Sequence, residues 1–121
     1  MKKVLFIFAL VVGGLFNQSL QAQEVVKLDQ TTGEFTQQEL NLKAGETYVF
    51  EVTNSGVDHE VGFVIAPKGK TDQEHHIPEA YLSKTITDGE TAASQEVTLE
   101  EGEYVYFCPM NPTPQYALTV K

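Results

Sequence analysis

From Gln23 onward the chain consists of short apolar runs broken by turn residues, and none keeps a 3.6-residue apolar period for more than about two helical turns. A chain patterned in this way cannot build a helix bundle, because no segment offers a continuous apolar stripe to bury. Thr47 to Thr53 instead alternates strictly, with Tyr48, Phe50 and Val52 on one face and Val49, Glu51 and Thr53 on the other. Asn54-Ser55-Gly56 ends it. Val61, Phe63 and Ile65 repeat the pattern up to Pro67-Lys68-Gly69, and Val97 with Leu99 up to Glu101-Gly102. Tyr104 to Cys108 and Tyr116 to Val120 read as the last two strands, with Val25 to Leu28 and Phe35 to Leu42 as the first, around a Thr32-Gly33 turn. About seven strands with turns every eight to twelve residues predict an all-β, two-sheet sandwich. Gly69 to Thr87 departs from it as a polar excursion in which Pro78 to Leu82 can begin a short helix.

The first 22 residues belong to a different class of segment. Lys2 and Lys3 precede the apolar stretch Val4 to Phe16, and the polar Asn17-Gln18-Ser19 leads to Ala22. This order predicts a secretory signal peptide over residues 1–22, cleaved after Ala22, and a single domain over residues 23–121. Thirteen apolar residues fall short of the roughly 18–20 that span a bilayer. The expected location is periplasmic or secreted, with no membrane attachment after cleavage.

Charge narrows the partners. The chain carries 17 Asp and Glu against 8 Lys and Arg, and loss of Lys2 and Lys3 leaves 17 acids against 6 bases, a charge of −11. A polyphosphate would be repelled, so nucleic acid is excluded, and a protein met through charge is expected to be basic.

Few side chains remain that can do chemistry. Ser55, Ser83 and Ser94 are the only serines after Ala22, and none sits in a Gly-x-Ser-x-Gly elbow. The carboxylates are scattered over polar faces and turns, so no enzymatic activity is expected. Cys108, the only cysteine, closes the run Tyr104-Val105-Tyr106-Phe107 and opens Pro109-Met110-Asn111-Pro112-Thr113-Pro114, a loop stiffened by three prolines. An internal disulfide is impossible. The thiolate of Cys108 and the thioether of Met110 form a soft donor pair of the kind that suits Cu(I). His59 precedes the Val61 run and can present an imidazole at the same end of the sandwich, whereas His75 and His76 stand in the polar excursion. A buried, apolar Cys108 and a hydrogen-bonded His59 at a strand edge are the alternative reading of the same residues.

Leu42 to Asn54, Asp58-His59-Glu60-Val61-Gly62-Phe63, and Leu99 to Gly102 with Tyr104 and Tyr106-Phe107-Cys108-Pro109 together resemble the cupredoxin, or blue copper, family over most of residues 35–121. The resemblance implies a Greek-key sandwich. It also implies a copper ion, with His59 matching the family's first histidine and Cys108 its thiolate. The family's second histidine falls on Asn111, and Tyr116 stands where an axial methionine is usual, which leaves Met110 as the candidate third donor. One copper ion held by His59, Cys108 and Met110 as Cu(I) is therefore expected, in a small electron carrier or copper-handling protein that serves a basic redox or copper-handling partner. The alternative is a non-catalytic interaction module on the same scaffold with a decayed metal site.

Overall fold

A computed structural model describes residues 23–110 and 113–121. The predicted signal peptide, Asn111 and Pro112 lie outside the described residues. Among the described residues nine strands form two sheets: β1 (Gln23–Thr31), β2 (Glu34–Phe35), β3 (Glu39–Leu42), β4 (Thr47–Asn54), β5 (Val64–Pro67), β6 (Thr91–Ala93), β7 (Val97–Thr98), β8 (Gly102–Phe107) and β9 (Tyr116–Val120). One sheet runs β2-β1-β4-β6, with β7 also on β4, and the other runs β3-β9-β8-β5. The expected sandwich is present, with two more strands than the seven anticipated.

The two extra strands have identifiable sources. Phe35 to Leu42 is not one strand, because the chain leaves the first sheet after Phe35 and enters the second at Glu39, crossing the core between layers. Thr91–Ala93 is three residues long, too short to show any period, and is held by antiparallel pairing with Glu51 to Thr53 of β4. β4 itself follows its sequence pattern, with Tyr48, Phe50, Val52 and Asn54 buried and the intervening residues half-exposed. It pairs in parallel with β1 over eight residues, from Gln23↔Thr47 to Gln30↔Asn54. The β1–β2 hairpin turns on Thr32-Gly33, where a φ of 78° at Gly33 requires a residue without a Cβ.

β5 corrects the expected alternation of Val61, Phe63 and Ile65. Regular pairing begins only at Val64, and residues 61–66 are all buried. Burial on both faces has a cause in the excursion. Two 3-10 turns, Gln73–His75 and Pro78–Ala80, lie over the outer side, and the Ile77 N–H donates to the Ile65 carbonyl at 2.8 Å. A strand covered on both faces loses the polar half of its pattern.

The core is aromatic at its centre. Phe35 meets Phe63, Tyr106 and Tyr116 edge to face, with ring centroids 5.9, 5.5 and 6.0 Å away, and Phe50 packs on Phe63 at 5.4 Å. Leu28, Val52, Ile65, Ile86 and Leu118 complete it. Two polar side chains, Gln30 and Asn54, are fully buried beside these apolar groups.

Candidate metal centre

Cys108 follows the last residue of β8, so its position is fixed by the β5–β8 and β8–β9 ladders that end there, at Val64↔Phe107 and Tyr106↔Tyr116. Only 4% of its surface is exposed. Its sulfur accepts two backbone hydrogen bonds, from the Gly62 N–H at 3.4 Å and from the Met110 N–H at 3.3 Å. The Cys108 N–H donates to Thr113 Oγ1 at 3.1 Å, which ties the two ends of the proline-rich loop together. The sulfur therefore sits where an inter-strand connection, Val61 to Phe63, meets the loop after β8.

Met110 is adjacent in backbone terms, and its side chain is 48% exposed on the rim of a cavity of about 340 Å³ that Gly62, Phe63, Tyr81, Leu82 and Pro109 also line. His59 is exposed. It stands three residues before Gly62, so its Cα lies within about 11 Å of the Gly62 Cα. Its Nδ1 lies 3.0 Å from the Glu60 carbonyl. A carbonyl can only accept, so Nδ1 carries the proton there and the lone pair for a metal is on Nε2.

The excursion histidines are engaged locally. His75 Nδ1 lies 2.9 and 3.0 Å from the two Asp72 carboxylate oxygens, and this hydrogen bond is the main reason that the Asp72 carboxyl titrates below its usual range. Both ring nitrogens of His76 have partners, Nε2 with the Thr71 carbonyl at 3.0 Å and Nδ1 with the Tyr81 hydroxyl at 2.8 Å. His76 also packs edge-on against Phe107, the residue before Cys108, with ring centroids 6.0 Å apart. Among the described residues, the one trio of imidazole, thiol or carboxylate donors within 4.8 Å of one another is Asp72, Glu74 and His75, in which the carboxylates are exposed and His75 is half-buried, and which does not include Cys108. The described residues thus bring no second imidazole into a trio with the thiol.

A sequence model of the cupredoxin-like domain matches residues 3–120. The chain belongs to the cupredoxin-like family. Auracyanin B superposes on this cupredoxin-like chain with a TM-score of 0.68 at 17% identity, over 81% of this chain and 88% of that one. Auracyanin A, described as a "blue" copper protein of the photosynthetic bacterium Chloroflexus aurantiacus, gives 0.67 at 16% identity, over 82% and 99% of the two chains. A dithionite-reduced auracyanin of Roseiflexus castenholzii gives 0.63 at 15%, over 81% and 96%. No curated protein sequence matches the chain.

Cys108 with His59 alone does not supply the trigonal pair of imidazoles with one thiolate that blue copper requires. Sequence reasoning did not anticipate Gly62 and Thr113 as residues of the site. Gly62 acts through its backbone N–H, which no side-chain motif signals, and Thr113 through a hydroxyl that accepts from the Cys108 N–H.

Proposed function

We propose that this chain is an exported cupredoxin-like copper-binding protein, a small electron carrier or copper-handling protein without enzymatic activity, which holds one Cu(I) through Cys108, Met110 and His59. The observation that carries the reading is the buried sulfur of Cys108 receiving two amide N–H groups. Negative charge brought to that sulfur on metal binding meets donors already in place, so little reorganisation opposes it. Copper so held would supply one-electron chemistry. The protein's part is to fix the sulfur between two backbone segments, shield it from water, and leave the thioether of Met110 and Nε2 of His59 as the additional donors. Thiolate, thioether and one imidazole favour Cu(I) over Cu(II). The blue neighbours and the family support copper, while Asn111 in place of an imidazole argues against an intensely coloured Cu(II) form.

The same Asn111, together with the exposure of His59, favours a second reading, an interaction module on a cupredoxin scaffold whose metal site has decayed. Reconstitution with Cu(I) and with Cu(II), followed by metal analysis and absorption spectra, separates the two. The copper reading expects one equivalent of retained Cu(I), weaker Cu(II) and little visible colour. Failure to retain stoichiometric copper in either state would leave the interaction module. A strongly blue Cu(II) form would mean that a further imidazole completes the set.

A further inference from the structure

The two buried polar side chains of the core are neighbours. Gln30 and Asn54, both 0% exposed, are paired across the parallel β1–β4 ladder at its last register position. Both reach out of the first sheet into the connection that carries His59 and Gly62. Asn54 Oδ1 accepts from the Val57 N–H at 2.8 Å, and its Nδ2 donates to the carbonyls of His59 and Ile86, each at 3.2 Å. Gln30 Nε2 donates to the Gly62 carbonyl at 3.2 Å, across 32 positions of sequence, and the Gln30 carbonyl accepts from the Ser55 N–H at 2.8 Å. Gly62 is the residue whose own N–H meets the sulfur of Cys108.

We propose that Gln30 and Asn54 form a buried amide clamp that positions the 55–62 connection, and through Gly62 sets the amide donor against the Cys108 sulfur. The copper role of the clamp rests on the function proposed above. Its geometric role does not. An amide buried among Phe and Val side chains is costly unless its hydrogen bonds are made, so each one also fixes the group to which it bonds. Asn54 holds the start of the connection and the His59 carbonyl, and Gln30 holds its end. Apolar side chains of similar volume would fill the space as well, yet they could not fix the Gly62 carbonyl, and with it the peptide plane that follows the Gly62 N–H and is joined to it only through the φ and ψ of Gly62. Gln30 and Asn54 are thus positioning residues, which act on any metal only through the groups they hold.

The test compares Gln30→Met, which keeps the volume and removes the donor, with Val97→Ala, a core truncation on β7 that makes no contact with the clamp hydrogen bonds. Amide NMR on the copper-free proteins is expected to move the Gly62 N–H signal and speed its hydrogen exchange in Gln30→Met, and to leave that signal in place in Val97→Ala. Competition against a Cu(I) chelator is expected to show about 10- to 100-fold weaker binding in Gln30→Met, the loss usual for groups that orient a metal ligand. An unmoved Gly62 signal in Gln30→Met, or equal movement in both variants, would overturn the clamp. If wild-type protein retains no Cu(I), the copper function falls while the Gly62 signal still decides the clamp. Should Gln30→Met fail to fold, hydrogen exchange of the side-chain amide protons of Gln30 in the wild-type protein decides it instead. Slow exchange supports the clamp, and exchange as fast as that of an exposed glutamine refutes it.

Discussion

Serine in place of Cys108 changes one atom, and that atom is the acceptor of two amide hydrogen bonds and the proposed thiolate donor. Cys108→Ser should therefore abolish stoichiometric Cu(I) binding by chelator competition while the fold persists by circular dichroism. Joint replacement of His75 and His76 by Ala should leave Cu(I) binding within about threefold of wild type, since His75 Nδ1 is committed to Asp72 and both ring nitrogens of His76 to Thr71 and Tyr81. Cys108, Met110 and His59 could be singled out in the sequence as candidate donors because soft donors and imidazoles are rare in this chain. Their supports could not, because Gly62 and Gln30 belong to residue types that carry no chemical signature until the fold places them. Tyr106 offers a separate check at this scale. Burial first, then the nearby Tyr116 and Glu39, push its hydroxyl up to about 12 from 10.0. The unfolded chain loses that proton near pH 10 while the native state keeps it, so the native state binds more protons and stability falls as pH rises from about 10 to 12. The loss should approach about 2–3 kcal/mol. Tyr106→Phe should flatten this slope in urea titrations at successive pH values. It should also lower stability at neutral pH by about 1 kcal/mol, through loss of the hydrogen bond from the Tyr106 hydroxyl to the Gln37 carbonyl.

Strands announced themselves in proportion to how one-sided their burial is. β4 has one buried and one half-exposed face, and its alternation could be read directly. β5 is covered by the excursion on its outer side, so its true start at Val64 was hidden in a continuous apolar run. β2 has only two residues, too few for any period, yet it delivers Phe35 to the centre of the aromatic cluster and is secured by the Phe35 N–H donating to the Tyr116 hydroxyl at 3.2 Å. Phe35 joins Phe63, Tyr106 and Tyr116, and thereby both sheets, so its contribution far exceeds what a two-residue strand implies. Phe35→Ala should cost about 3–5 kcal/mol, read as a fall in the urea midpoint with an unchanged slope. Val25, on the adjacent strand but 54% exposed, gives the contrast: Val25→Ala should stay within about 0.5 kcal/mol of wild type. An equal loss at the two positions would contradict the aromatic cluster as the anchor between layers.

At the scale of the whole molecule, charge and export belong to one argument. All 17 acids lie after Ala22 and Lys2 and Lys3 lie before it, so the proposed removal of residues 1–22 would take the charge from −9 to −11. Self-repulsion of that size keeps a small protein soluble and speeds its encounter with a basic partner at low ionic strength. The eight described pairings that join β1 to β4 run from Gln23↔Thr47 to Gln30↔Asn54, so a cut after Ala22 would leave all of them in place. A cut even four residues further on would delete half of that ladder and, with it, support for Gln30 at its far end. Expression of the full chain in a secreting host should yield a soluble protein whose intact mass corresponds to Gln23 through Lys121. A soluble product that retains residues 1–22, or one trimmed into β1, would contradict export by cleavage after Ala22.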